Sequence, residues 1–138
     1  MKIVINRCYG GFGLSHKAVM RYAELKGFKL YPFVEKRDRD GKLIRGKFES
    51  YKGDEAFLIH YSKEPLSNDG EYSEGSYFSD TGIERTDPVL IQVVEELGQK
   101  ANGRCAELDV IEIPDDVEWE IDEYDGIERV DEKHKSWS

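Results

Sequence analysis

Two long stretches of this chain carry apolar residues at helical spacing, and almost everything between and after them alternates or turns. Leu14, Ala18, Tyr22 and Leu25 share one helix face, with Ser15 placed to cap its start and Gly27 suited to its stop. Leu90, Val93, Leu97 and Ala101 share another, behind Thr86 or Asp87 as cap and Pro88 in the first turn; Gly98 interrupts that helix or ends it early. Strand patterns fall at Lys2–Asn6, Phe28–Val34, Glu55–Ser62, Cys105–Ile113 and Val117–Asp122. Pro32 places the second of these toward a sheet edge, and Asp40-Gly41 marks a hairpin. Residues 63–86 read as a long loop carrying Tyr72, Tyr77 and Phe78. Tyr124-Asp125-Gly126 turns into a short last helix with Ile127, Val130, His134 and Trp137 on one side. The order β-α-β-β-β-α-β-β-α lacks a βαβ repeat. It predicts a single α+β domain over residues 1–138, a mostly antiparallel sheet with two main helices and a short C-terminal helix.

Charge narrows the partners. The chain of 138 residues has 20 Lys+Arg against 29 Asp+Glu, a formal net charge of -9. That balance speaks against a nucleic-acid polymer or an anionic membrane as partner, and no apolar run reaches the length of a membrane helix. The strand pattern at the N-terminus is expected not to be a secretory leader. Cys8 and Cys105 allow at most one disulfide, and the expectation is two buried thiols in a reducing cytosol. His16, His60 and His134 lie far apart in sequence, which argues against a zinc site. The charge is also uneven. Residues 1–50 hold 12 Lys+Arg and 5 Asp+Glu, and residues 51–138 hold 8 and 24. Halves of net +7 and -16 sit on separate solvated faces of one molecule or meet across a subunit interface.

Several motifs invite chemistry. The strand, the glycine run Gly10-Gly11-Phe12-Gly13 and the following helix resemble an anion-binding loop. However, His16 stands where the dinucleotide fingerprint needs its last glycine, and the Gly-Lys-Ser/Thr of a P-loop is absent. A plain tight turn and a ligand loop in which Tyr9 or Phe12 stacks on a base both remain. Val93-Val94-Glu95-Glu96-Leu97-Gly98 imitates the core of a Nudix helix but is preceded by Ile91-Gln92, not Arg-Glu, so Glu95 and Glu96 read as a solvated face. The basic residues from Lys36 to Lys47 suit a phosphate grip or a solvated hairpin. Arg85, next to a helix cap, suits a pyrophosphate clamp or a salt bridge to Glu84 or Asp87. Arg129 and Lys133 share a face of the last helix. Phe78 and Tyr77 stack on a base or plug the core edge. No nucleophile–base pair is defensible; Cys8 with His134 is the nearest approach to one.

Asn6-Arg7-Cys8-Tyr9-Gly10-Gly11-Phe12-Gly13-Leu14-Ser15, Arg85-Thr86-Asp87-Pro88 leading into Val93-Val94-Glu95-Glu96-Leu97-Gly98, Ile113-Pro114-Asp115-Asp116-Val117-Glu118 running to Glu123-Tyr124-Asp125-Gly126-Ile127-Glu128, and Glu132-Lys133-His134-Lys135-Ser136-Trp137 together resemble small phage proteins. The chain resembles the first Thoeris anti-defence family, phage sponges that capture cyclic ADP-ribose isomers. The resemblance covers both ends and most of the chain, leaving out the basic hairpin and the long loop. It implies an α+β protomer, dimers that assemble further, ligand pockets at subunit interfaces, and sequestration without turnover in the host cytosol.

The residues themselves are compatible with that expectation. A cyclic ADP-ribose isomer presents an adenine, two riboses and a pyrophosphate. The expected binding residues are Tyr9, Gly10, Gly11 and Phe12 in the glycine loop, Phe78 for the base, Arg85 for the pyrophosphate, Asp125 for ribose hydroxyls, and Arg129 and Lys133 closing the pocket. No catalytic residue, cofactor or metal is expected, and a homo-oligomer is. The alternatives are a small nucleotide or ADP-ribose hydrolase, and an acidic protein-interaction module.

Overall fold

The computed structural model describes residues 1–47, 59–68 and 70–133. It divides into two compact units, residues 1–22 with 83–138, and residues 23–82.

In the first unit the apolar run Ile3-Val4-Ile5 becomes β1 (Lys2–Asn6), buried from Ile3 to Asn6. A continuous short apolar run has no polar face to show solvent, so it is buried on both sides. It pairs antiparallel with β6 (Leu108–Glu112), Ile3 opposite Ile111 and Val4 opposite Val110. The helix α1 (His16–Lys26) starts as its sequence dictates: the Ser15 hydroxyl accepts the Ala18 N–H at 3.1 Å. Gly27, with φ +86°, follows its end. The helix α2 (Pro88–Leu97) is capped by Asp87, whose Oδ1 accepts the Val89 N–H at 2.8 Å while Oδ2 accepts the Tyr22 hydroxyl at 2.7 Å. Its stripe Leu90, Val93 and Val94 is buried. Gly98 ends it, and a 3-10 turn carries the chain to Ala101.

Among the described residues the expected C-terminal helix is not there. Ile127–Glu132 is a strand, β8, paired with β7 (Trp119–Tyr124) so that Ile121 faces Val130 and Asp122 faces Arg129. Ile127 and Val130 mimic helical spacing, but over so short a segment the period does not decide. The alternation that counts is Glu128 and Val130 on one face, with Glu128 buried by a partner that the local sequence does not reveal. His134 and Trp137 lie outside the described residues.

The second unit is an antiparallel sheet of order β3-β2-β4-β5. Its strands are β2 (Tyr31–Arg37), β3 (Leu43–Lys47), β4 (Ile59–Ser62) and β5 (Tyr77–Phe78). Despite Pro32, β2 is an inner strand. Among the described residues it pairs with β3 from Phe33 to Arg37 and with β4 from Tyr31 to Val34, Pro32 lying opposite Tyr61. The long loop expected over 63–86 therefore contains a strand, β5, and a 3-10 turn at Asp80–Gly82. The first part of the expected strand Glu55–Ser62 lies outside the described residues. The basic hairpin is built by Asp38, whose Oδ1 accepts the Asp40 and Lys42 N–H groups at 2.9 and 2.8 Å. The architecture is α+β, with antiparallel sheets and two main helices.

Candidate functional site

Asn6 organises the glycine loop. It is fully buried at the end of β1, and each polar function of its side chain is used. Nδ2 donates to the carbonyls of Cys8 and Gly126, both at 2.7 Å. Oδ1 accepts the Glu107 N–H at 2.8 Å and the Cys8 N–H at 3.2 Å. One amide thus ties the start of the loop, the approach to β6 and the β7–β8 turn together.

Beside it, Glu128 and Arg85 close the other edge of β1. The Glu128 carboxylate accepts the Asn6 N–H at 2.9 Å and holds the guanidinium of Arg85 at two points, 2.5 and 2.8 Å. The Arg85 carbonyl accepts the Val4 N–H at 2.9 Å, and its Nη1 reaches the Val4 carbonyl at 3.3 Å. An arginine and a glutamate thereby take the place of a neighbouring strand. The Phe12 ring lies 3.6 Å from the Arg85 guanidinium carbon, a cation–π stack that covers the pair. The salt bridge expected of Arg85 exists, but with Glu128 instead of Glu84 or Asp87.

The glycines act by letting backbone pack on backbone. A Cβ on Gly126 would stand 2.6 Å from the Gly10 nitrogen and closer still to that of Gly11. A Cβ on Gly10 would stand 2.5 Å from that of Cys105, and one on Gly103 would stand 2.7 Å from the Gly13 carbonyl. Gly11 has open space around it and a φ of +98°. Cys105 is exposed and Cys8 half-buried, so the expectation of two buried thiols fails. Cys105 lies in the turn before β6, not inside the strand.

Two tyrosines stand out from this interlock. Tyr9, next to Gly10, is 62% exposed, and Tyr124, two residues before Gly126, is 81% exposed. Asp125 sits between Tyr124 and Gly126 in the turn, with φ +52°. An open groove of about 730 Å³ runs from Arg7 and Cys8 along Leu108 and Asp109 to Gln99 and Asn102. Arg7 pairs there with Asp109 at 2.6 Å.

The structure therefore brings Tyr9, Gly10, Gly11, Phe12, Arg85 and the Asp125 turn into one neighbourhood. Arg129 is exposed on β8, bridging Asp122 and Asp131 at 3.1 and 3.2 Å. Lys133, just beyond β8, is exposed and donates its N–H to the Glu118 carbonyl. These two lie on or beside a strand, not a helix. Phe78 belongs to the second unit, where its ring is 5.8 Å from that of Phe28. The Nudix-like carboxylates are paired: Glu95 with Lys2 and Glu96 with Arg21, each at 3.2 Å. Sequence reasoning missed Glu128 and Tyr124 as site residues. Nothing local signals the first, whose partner is Arg85, and an aromatic at a hairpin tip was the available signal for the second.

No family model, curated protein or solved structure matches this chain.

Proposed function

We propose that this protein captures a small nucleotide of the cyclic ADP-ribose type and holds it without turnover, as a phage anti-defence sponge in the host cytosol. The ligand class rests on the sequence resemblance. The observation that carries the reading is the pair of exposed rings, Tyr9 and Tyr124, mounted on the backbone interlock of Gly10, Gly11 and Gly126. Rings held on a fixed backbone offer a base a stacking surface with little ordering cost. Asp125 supplies an acceptor for ribose hydroxyls. Arg85 serves by holding the loop under Phe12, since its guanidinium is already spent on Glu128. No metal or cofactor enters the reading, and the protein works as a homo-oligomer.

Calorimetry with cyclic ADP-ribose isomers tests this. Tyr9→Ala and Tyr124→Ala should each weaken binding roughly tenfold or more, because stacking on an aromatic is worth about 1–3 kcal/mol per base. Heat-denaturing the loaded protein should release the ligand chemically intact. Altered ligand would favour the hydrolase, and unchanged affinity in both variants would move the site elsewhere.

A further inference from the structure

The two edges of the β1–β6 sheet are treated differently. The Arg7 N–H donates to the Glu107 carbonyl at 2.8 Å and the Ile113 N–H to the Met1 carbonyl at 2.9 Å. Odd-numbered residues of the β6 run therefore turn their main-chain groups toward β1, and even-numbered ones turn away. On the β1 side both outward groups of Val4 are covered by Arg85 and the Asn6 N–H by Glu128. On the β6 side, among the described residues, only the first outward donor is covered: Asn102 Oδ1 accepts the Leu108 N–H at 2.9 Å. Among the described residues β6 pairs with β1 alone, which leaves the Leu108 carbonyl and both groups of Val110 and Glu112 pointing outward. Pro114, which has no N–H, closes this edge. The strand is apolar for an edge, Leu-Asp-Val-Ile-Glu, with Leu108, Val110 and Ile111 only half-buried. An edge of that kind is a template for another strand.

We propose that a second copy of this chain pairs with this edge, β6 antiparallel to β6, with Val110 opposite Val110 of the second copy. The inference rests on the homo-oligomer reading and gives it an interface. The open main-chain groups are self-complementary in this register. The Val110 N–H and carbonyl of each copy bond those of the other, and for Glu112 of the second copy to pair with Leu108 the Asn102 side chain, which holds the Leu108 N–H, swings aside. Side chains agree: Leu108 falls opposite Glu112 and Asp109 opposite Ile111, so no carboxylate faces another, and Asp109 is neutralised by Arg7 within its own chain. The same test rules against β7. Pairing it with itself about Ile121 sets Glu120 against Asp122, like charges directly opposite. A two-fold pairing of β6 makes a continuous four-stranded sheet whose outer edges are the β1 edges, where Arg85 and Glu128 cover Val4 and the Asn6 N–H.

Light scattering over a dilution series, on wild type, Val110→Pro and Val110→Lys, tests the proposal. The β1-facing bonds of β6 run through odd-numbered residues, so proline at 110 removes only an outward donor. Two-chain particles for wild type and single chains for both variants, with unchanged far-UV circular dichroism, support it. Two-chain particles in both folded variants overturn the β6 interface and leave the homo-oligomer reading standing; a single-chain wild type overturns both. Where the variants fail to fold, hydrogen exchange on wild type decides. The Val110 amide should exchange more slowly in concentrated than in dilute solution, and equal rates overturn the interface.

Discussion

Glu128 and Arg85 meet in a two-point ion pair that is both the lid on β1 and the floor under Phe12. Glu128 is 7% exposed and the Arg85 side chain 18%. Removing one member of a buried pair leaves the other charged and unpaired, at a cost of about 3–5 kcal/mol. Glu128→Leu, which also orphans the Asn6 N–H, should therefore cost that much in urea unfolding. Glu128→Gln keeps an acceptor for Asn6 and should cost about 2 kcal/mol. Equal, small losses in both would show that the pair is dispensable.

That pair also marks the limit of sequence reading here. The helix ends were legible because their causes are local: Ser15, Gly27, Asp87, Pro88 and Gly98 sit within a turn of what they cap. The role of Glu128 was not, because its partner stands 43 residues away in sequence. Nor was β8, where two apolar residues three apart passed for a helix face until cross-strand pairing with β7 decided. The glycine loop was half legible. Its glycines are required, but by the close approach of Gly126, Gly103 and Cys105 and not by an anion. The inner position of β2 shows the same limit: Pro32 suggests an edge, but the strand's place is set by its pairing with β3 and with β4, where Pro32 lies opposite Tyr61, and neither pairing is a local property of the sequence.

Gly126 and Gly11 lie in one interlock but should respond differently to alanine. At Gly126 the added carbon meets two backbone nitrogens that cannot rotate away, at a φ of +89°. At Gly11 only the positive φ is strained. Gly11→Ala should cost about 1–2 kcal/mol, whereas Gly126→Ala should cost about 4 kcal/mol or more. Comparable melting temperatures for the two variants would contradict the close packing of the turn on the loop.

Asn6 makes a sharper case. In Asn6→Asp one carboxylate oxygen replaces an NH₂ group that donates to the Cys8 and Gly126 carbonyls at 2.7 Å. Three oxygens then face one another without a proton. We expect a loss of about 3 kcal/mol or more at neutral pH, the order of a buried unpaired charge. Protonation restores one donor. The folded pKa of the new acid is raised, so its stability is best below the ordinary carboxylate range and falls as pH rises through that raised value. Urea unfolding at acidic and neutral pH measures the difference, and a deficit that does not shrink on acidification would rule this geometry out.

The last expectation concerns alkaline pH. Burial raises the pKa of Tyr22, Tyr61 and Tyr77, and neighbouring acidic groups add to it: the Asp87 carboxylate for Tyr22, the Asp80 carboxylate for Tyr61, and the Tyr72 phenol with the Glu35 and Asp80 carboxylates for Tyr77. Tyr22 also donates to Asp87 at 2.7 Å, a contact that favours the protonated phenol. In the unfolded chain these phenols ionise near pH 10, roughly the value for free tyrosine. Above it the unfolded state gives up protons that the folded state retains, so stability falls as pH rises through the raised folded values. Tyr22→Phe removes one such group and should flatten that fall. It costs the hydroxyl's bond to Asp87 at neutral pH, about 1 kcal/mol, and regains part of the difference in alkali. Tyrosinate absorbance followed together with circular dichroism is the measurement. Ionisation of all the tyrosines near pH 10, roughly the free value, with the fold intact, would sink the argument.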